Sequence, residues 1–397
     1  MRQLEIEIVN PTGLHARPAK VFVNAAKEFQ SDARVFYNEK KANAKSLISL
    51  LTLGVEFGNK IRIEVTGEDE KEAIQALEEV IQNGLGEEEL LKNHAAEVQS
   101  HEAPSSPPKP VEDGGDNLSQ NRLQGVAGAP GVAVGPVFHF TRKKINIEET
   151  FESESEEKDA LQKAVEQAKG QLIYLRDKMQ SEKANSEAAI FDVHLGLLED
   201  VEILDEVLGK IDRKQSAAMA WQTTIETRAQ LVAELKDPLL SARAADLHDV
   251  GYRVLRILVG ADEQPLQLPD HPVIIIADDL APSDTAALDA KKVLGFCTVL
   301  GGPTTHTAII ARSLGLPAVV SAGKSILSLE ESTPIILNGD DGTITINPDE
   351  MELKFAKEQK RKANQLRTQA QATANEPAVT LDGHRVEIAA NIGGLED

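Results

Sequence analysis

Cysteine is almost absent from this sequence, because Cys297 is the single one among 397 residues. One thiol cannot close a disulfide within the chain or build a cysteine zinc cluster, and such low cysteine use is typical of the cytoplasm. Aromatic residues make up only 4% of the chain. We therefore expect a cytoplasmic protein whose cores are built mainly from aliphatic side chains.

Positive charge is also scarce. The chain has 42 Lys and Arg against 64 Asp and Glu, a formal net charge of −22 at pH 7. A nucleic-acid backbone must be neutralised by basic side chains, so we expect no nucleic-acid partner. No apolar run approaches the ~20 residues of a membrane span, and the first ten residues lack the apolar region of a signal peptide. We therefore expect no membrane insertion.

The patterning predicts an α/β multidomain protein, since 397 residues exceed what one core supports. Residues 1–88 follow the order β-α-β-β-α-β-α, which predicts an antiparallel sheet with helices on one face. Residues 89–120 are rich in Pro, Ser, Gly and acidic residues, which predicts a linker.

The remainder of the chain mixes strand and helix patterns. Strand patterns at 121–146 and 261–348 flank helical patterns at 147–260, so we predict a helical bundle inserted into an α/β domain. A charged helix is predicted over 349–376, and one further strand within 377–397.

The stretch NPTGLHARPAK contains the first notable histidine, His15. Pro18 is tolerated only in the first turn of a helix, so the helix is predicted to begin near Ala16 and His15 to lie at its N-terminus. Free amides and the helix dipole favour an anion there. Arg17 adds a permanently charged fork that suits phosphate.

The stretch GGPTTHTAIIARSLGLPAVV repeats this arrangement around His306. A glycine-rich loop precedes a helical run, and Thr304, Thr305 and Thr307 add hydroxyl donors. Imidazole is nucleophilic when neutral, and its ordinary pKa near ~6.5 keeps it largely so at pH 7. A lone histidine at the start of a helix, with no general base nearby, suits a covalent phosphoryl carrier.

Simpler interpretations exist for these features. A lone histidine at a helix start is often a cap or a surface residue, and a glycine-rich loop is often just a tight turn. AGAPGVAVG loosely resembles dinucleotide glycines, but no crossover helix with an acidic partner follows it. No histidine or cysteine spacing predicts a metal site. The other histidines lack an anion-site context and are interpreted as solvated or structural, with a docking contribution left open for His194.

These motifs resemble two families of the bacterial phosphotransferase system. GLHARPA and AKSLISLLTLG match the active-site and regulatory-serine regions of the histidine phosphocarrier HPr. From residue 122 onward the chain resembles the N-terminal half of Enzyme I, the phosphoenolpyruvate–protein phosphotransferase, through GGPTTHTAIIARSLGLPAVV, LAPSDTAAL and RAADLHDVGYRVL. The resemblance implies an HPr-like open-faced β-sandwich, then a swivelling α/β phosphohistidine domain with an inserted helical bundle that docks HPr.

The resemblance also implies a reaction. A phosphoryl group held on His306 through Nε2 passes to His15 through Nδ1, and then to sugar-specific IIA-type proteins. Arg17 would steady the phosphate on His15, and Thr285 aligns with a threonine that hydrogen-bonds the active histidine in relatives. Independently of the resemblance, the Thr305 hydroxyl is a candidate phosphate-stabilising donor beside His306.

Partner docking and regulation follow from the same resemblance. Ser46 matches the regulatory serine, and a kinase acting on it is a conceivable further partner. The implied docking residues are Leu47, Ile48 and Leu51 beside His15, and Leu197 and Leu198 within LGLLEDVEILDE. The leucines of the helical segment fit ordinary bundle core equally well.

The sequence departs from the family in two places. Pro303 stands where many relatives have Arg, which leaves Arg312 or another domain to balance the phosphate. VEIAANIGGLED, within 377–397, resembles the first strand of the Enzyme I barrel, which binds phosphoenolpyruvate and Mg²⁺ in the family. We therefore expect no cofactor in this chain and a phosphoenolpyruvate-binding barrel as its partner.

Two alternative functions remain at this stage. A short fusion similar to this chain occurs in the phosphoryl donor subunit of dihydroxyacetone kinase, and this chain could be a subunit of that kind. The HPr-like part could also serve mainly as a regulatory module that acts through Ser46. Because His15 and His306 are both present, phosphoryl transfer is the favoured function.

Overall fold

The computed structural model describes residues 1–87, 121–142, 145–147, 150–181, 185–235, 238–261, 268–286, 291–303, 305–373, 378, 380 and 382–386. Two compact units are present. Unit 1 holds the described residues of Met1–Lys109, Ile145–Asp177 and Ala188–Asp262, and unit 2 those of Pro110–Lys144, Lys178–Glu187 and Glu263–Asp397. The predicted linker at 89–120 and most of the predicted final strand lie outside the described residues, and the domain boundaries stay predictions.

The first part of unit 1 has the predicted order of strands and helices. Its elements are β1 (Arg2–Glu7), α1 (Ala16–Lys27), β2 (Asp32–Tyr37), β3 (Lys40–Asn43), α2 (Leu47–Leu53), β4 (Lys60–Thr66) and α3 (Glu70–Gln82). The four-stranded sheet has the order β1-β4-β2-β3, and each neighbouring pair is antiparallel. On β4 the buried side chains Ile61, Ile63 and Val65 alternate with more exposed ones. Helices α2 and α3 pack on this sheet, which confirms the predicted antiparallel sheet with helices.

The second part of unit 1 is helical, as its sequence predicts. The helices are α4 (Glu154–Ser181), α5 (Asn185–Leu198), α6 (Val201–Ile211), α7 (Ala217–Ala233), α8 (Pro238–Ser241) and α9 (Ala244–Leu258). The C-terminal end of α4 and the N-terminal end of α5 are assigned to unit 2. The buried Trp221 donates its indole N–H to the carbonyl of Gly251 at 3.0 Å. A methyl group on Gly251 would lie 2.5 Å from Ile225, so α7 and α9 pack closely.

Unit 2 is built on an eight-stranded mixed sheet. Its strands are β5 (Arg122–Gln124), β6 (Val126–Ala129), β7 (Val132–Phe140), β8 (Val273–Ala277), β9 (Val293–Thr298), β10 (Ala318–Val320), β11 (Pro334–Asn338) and β12 (Thr343–Ile346). The order is β5-β12-β11-β7-β8-β9-β10-β6. Neighbours from β7 to β10 are parallel, and the outer pairs are antiparallel. Every residue of β8 is buried, as expected for a parallel strand at the centre of a sheet.

Helices of unit 2 pack on this sheet. They are α10 (Pro282–Ala286), α11 (His306–Leu314), a 3₁₀ helix (Lys324–Ser328) and α12 (Glu350–Thr373). Helix α11 packs against β6, β9 and β10. Helix α12 contributes Leu353 and Ala356 to a cluster with Val132 and Ile336. Among the helices described, none combines the length and apolar character that crossing a bilayer requires.

Candidate functional site

His15 is the N-cap residue of α1, with extended backbone angles. Its carbonyl accepts the N–H of Ala19 at 2.8 Å. The amides of Ala16 and Arg17 lie in the first turn, where a helix supplies no internal acceptor, and Pro18 has no N–H. The predicted helix start is therefore confirmed, and it directs amide donors and the positive end of the helix dipole to the side of His15.

The loop before His15 is fixed by close backbone contacts. Gly13 has φ +67°, and a Cβ there would lie 2.4 Å from the carbonyl oxygen of Val55, so this position requires glycine. Leu14 donates its N–H to that same carbonyl at 2.9 Å, and the Asn10 side-chain amide donates to the Gly13 carbonyl at 2.6 Å. The half-buried His15 is thus presented from a rigid loop.

Within unit 1, the N-terminus of α2 contacts the junction between α5 and α6. The Ser46 hydroxyl donates to the Asp200 carboxylate, with Oγ 2.9 Å and 3.0 Å from its two oxygens. The Ile48 N–H donates to Asp200 Oδ2 at 3.0 Å, and the Ser49 hydroxyl donates to Glu202 at 2.5 Å. Ser46 and Asp200 are both fully buried. Burial raises the pKa of the Asp200 carboxyl, while the hydrogen bonds from Ile48 and Ser46 act in the opposite direction.

Helix α1 adds basic groups to the same contact. Lys20 Nζ lies 3.1 Å from an Asp192 oxygen, and Lys27 donates to the Glu199 carbonyl at 3.0 Å. Lysines on the small α/β part therefore face acidic and carbonyl oxygens on the helical part, which gives complementary charge.

The predicted docking residues are all buried. Leu47, Ile48, Leu51, Leu197 and Leu198 are each 2% exposed or less. Leu47 reaches α5, where a methyl group on Gly196 would lie 3.0 Å from its Cδ2. Docking of the first part of unit 1 on the helical part thus has direct contacts, although the separate role of each leucine stays a prediction.

His306 is the first residue of α11. Thr305, the N-cap residue, donates both its N–H, at 3.0 Å, and its hydroxyl, at 2.8 Å, to the Gly302 carbonyl. Gly301 before it has φ +104°. The buried Thr307 donates its hydroxyl to the Leu280 carbonyl at 3.2 Å. A tight turn therefore delivers His306 to a helix N-terminus, as at His15, while Thr304 lies outside the described residues.

Thr285 and Arg312 have backbone partners in unit 2. The Thr285 hydroxyl donates within α10, at 2.9 Å from the Pro282 carbonyl oxygen. Arg312 donates to the carbonyls of Gly128 and, at 2.8 Å, of Pro303. Arg312 therefore links β6 to the loop before His306 through these hydrogen bonds. The assignments of Thr285, Thr305 and Arg312 to phosphate stabilisation stay predictions.

Sequence reasoning overlooked Asp279 and Arg142. Asp279 follows the buried strand β8, and its carboxyl interacts electrostatically with His306 and Arg142. Although Asp279 is exposed, desolvation by its surroundings raises the pKa of this carboxyl. Arg142 also forms an ion pair with Asp284 at 2.9 Å. An acidic pair directly after a fully buried strand was the signal available in the sequence.

Other described histidines have different surroundings. The fully buried His194 has its Nε2 3.2 Å from Asp246 and its Nδ1 3.7 Å from Asp249. A ring nitrogen of His139 lies 2.7 Å from the Leu329 carbonyl oxygen. Both contacts are structural in character, in contrast to the helix starts at His15 and His306.

Comparison with known families gives three matches along the chain. Residues 3–83 match the family described as PTS HPr component phosphorylation site. Residues 124–243 match the N-terminal domain of PEP-utilising enzymes, and residues 269–342 match their mobile domain.

Comparison with individual proteins gives relatives of the same kind. The chain is 35% identical over 395 residues to the multiphosphoryl transfer protein of Xanthomonas campestris pv. campestris, covering 98% of this chain and 46% of the relative. It is 33% identical over 277 residues to the phosphoenolpyruvate-protein phosphotransferase of Priestia megaterium, covering 69% and 48%. A solution structure of Enzyme I (nEIt) matches at 36% identity and a TM-score of 0.49, covering 61% of this chain and 99% of that one. The chain spans about half the length of the curated relatives it matches.

Proposed function

Since the chain belongs to the phosphotransferase-system families, as an HPr domain joined to Enzyme I-type domains of PEP-utilising enzymes, we propose that it relays phosphoryl groups between two of its own histidines. His306 receives the group and His15 accepts it from His306. We further propose that the α/β part of unit 2 swivels to bring His306 to its successive partners.

The relay follows from the chemistry of imidazole. A neutral nitrogen of His15 attacks phosphorus, the N–P bond to His306 breaks, and its electron pair returns to the His306 ring. The first-turn amides of α1 and the guanidinium of Arg17 stabilise the phosphoryl charge at His15. Because both histidines belong to one chain, the effective concentration of one at the other can reach about the mM range.

The described residues contain neither the source of the phosphoryl group nor its final acceptor. We propose that phosphoenolpyruvate reaches His306 through a barrel domain that holds Mg²⁺, and that IIA-type proteins take the group from His15. The names of the relatives favour this function over a donor subunit of dihydroxyacetone kinase.

The observation that carries the proposal is the docking contact in unit 1. The α1–α2 face that follows His15 lies on the helical part of an Enzyme I-type domain, through Ser46, Ile48 and Lys20. A carrier that must receive a group from that domain needs such a contact.

The test is a map of phosphohistidine on the whole chain. The protein is incubated with a separately phosphorylated HPr-type carrier, which feeds the relay in reverse, and acid-labile phosphate is located by mass spectrometry. We expect label on His15 and His306, and an unchanged pattern in a control with the exposed His248 replaced, His248→Gln. Label on His194 or His248 instead would contradict the proposal.

A further inference from the structure

We propose that Asp200 is the residue that positions the carrier domain, because its single carboxylate caps two helices that belong to different parts of unit 1. One is its own helix α6, and the other is α2 of the HPr domain. The inference rests on the proposed relay for its purpose, but the contact itself is independent of phosphoryl transfer.

The two oxygens of Asp200 divide this task. Oδ1 accepts the N–H groups of Glu202 at 3.0 Å and Ile203 at 3.4 Å, which makes Asp200 the N-cap of α6. Oδ2 accepts the N–H of Ile48 at 3.0 Å, at the start of α2. The Ser46 hydroxyl donates between both oxygens. The carboxylate therefore receives donors from two helix N-termini, whose dipoles both favour negative charge.

Ser46 completes the arrangement from the side of the carrier. Its Oγ accepts the N–H of Ser49 at 3.1 Å and thereby caps α2, while its hydroxyl hydrogen points to Asp200. Ser46 and Asp200 lie 154 residues apart in the chain, and both are fully buried. Asp200 thus selects a carrier helix that presents a hydroxyl donor and a free first-turn amide, and it rejects one that presents a negative charge.

The other polar contacts of this interface are less enclosed. In the ion pair between Lys20 and Asp192 the side chains are 22% and 39% exposed, and such pairs contribute only about 0–1 kcal/mol at most sites. A buried charged acceptor with several donors contributes more to the free energy of the interface, since removal of one partner leaves the others unsatisfied. We therefore assign the positioning role to Asp200.

The amide of Ile48 provides a specific readout. As a first-turn amide it has no acceptor within α2, so its protection from hydrogen exchange depends on Asp200 Oδ2. The amide of Leu50 donates to the Ser46 carbonyl at 3.2 Å and reports whether α2 itself is folded. The amides of Glu202 and Ile203 report the cap of α6 in the same way.

The experiment compares hydrogen exchange in the whole chain for Asp200→Asn and Asp205→Asn. Asparagine keeps one oxygen to cap α6 but places an NH₂ group where Ile48 needs an acceptor. Asp205 is an exposed acid on the same helix, so its variant makes the same charge change away from α2. We expect exchange at Ile48 to become about tenfold faster or more in Asp200→Asn, from the loss of a charge-assisted hydrogen bond, and to stay unchanged in Asp205→Asn.

The remaining amides decide how the result is interpreted. Leu50, Glu202 and Ile203 should keep their protection in Asp200→Asn, because both helices stay folded. Unchanged exchange at Ile48, equal acceleration in Asp205→Asn, or acceleration confined to Glu202 and Ile203 would each overturn the proposal. If Asp200→Asn does not fold, hydrogen exchange is measured in Ser46→Ala instead. Exchange that accelerates, relative to the wild-type chain, more at Glu202 and Ile203 than at Ile48 would then overturn the proposal. Failure of phosphoryl transfer would not affect this readout, so the two proposals are tested separately.

Discussion

Leu47 of the HPr domain occupies the space left by Gly196 on α5, where a methyl group would lie 3.0 Å from Leu47 Cδ2. The side chain of Leu47 is fully buried. An apolar contact therefore accompanies the hydrogen bonds of Asp200 and fixes how closely the carrier domain approaches the helices.

Enlarging residue 196 should weaken docking. In Gly196→Leu the new side chain competes with Leu47 for the same space, and overpacking of this kind costs about 1–3 kcal/mol. We expect phosphoryl transfer from His306 to His15 to slow roughly tenfold, measured by rapid quenching of a labelled chain. The control is Gly209→Leu, since nothing lies within 4 Å of a Cβ at Gly209 on α6. Equal slowing in both variants would contradict this account of the interface.

Substitution of Gly13 should destabilise the loop that presents His15. Its φ of +67° costs a side chain about 1–2 kcal/mol, and the overlap with the Val55 carbonyl adds about 1–3 kcal/mol. Gly58 has φ +76° but open space around it, so Gly58→Ala isolates the backbone cost. Thermal unfolding should show a clearly larger loss of stability for Gly13→Ala than for Gly58→Ala. Similar losses would mean that the contact with Val55 is unimportant.

A negative charge at position 46 should separate the two parts of unit 1. Ser46→Asp places a carboxylate against the buried Asp200 and close to Glu202, and like charges in contact cost several kcal/mol. Aspartate is itself a good N-cap, so α2 should stay folded. We expect transfer between the histidines to slow about tenfold or more, and Ser46→Ala to have a much smaller effect. An unchanged transfer rate in Ser46→Asp would refute the repulsion.

Cys297 should resist thiol reagents in the folded chain. It is fully buried in β9, and burial raises the pKa of its thiol from 9.0 to about 12. The folded chain therefore holds the proton more tightly than the unfolded chain, so this contribution to stability is fully present below pH 9.0 and is lost as pH rises from there to about 12. At pH 8 an alkylating reagent should modify Cys297 only after denaturant is added. Rapid modification of the native chain would contradict the burial of β9.

Local sequence signals predicted the position of His15 well. Proline in the first turn placed the start of α1 at Ala16, and Gly54 ended α2 in a left-handed conformation with φ +65°. Both signals act through the backbone of neighbouring residues, so the sequence displays them directly. The repeated pattern of a glycine loop, a histidine and a helix predicted the start of α11 for the same reason.

Long-range contacts could not be predicted in this way. The double cap at Asp200 joins residues 154 apart, and LLEDVEILDE shows only that Asp200 can start a helix. Asp279 interacts electrostatically with His306 and Arg142, both of which are distant from it in sequence. In each case a partner distant in sequence determines what the residue does.

The order of labelling tests the relay most directly. A separately phosphorylated HPr-type carrier is added to the wild-type chain, to His306→Ala and to His15→Ala, and phosphohistidine is followed with time by mass spectrometry. The account predicts that His15→Ala still carries phosphate on His306, while His306→Ala carries none on His15. Labelling of His15 in His306→Ala at the wild-type rate, or loss of His306 labelling in His15→Ala, would contradict a relay that runs between these two histidines.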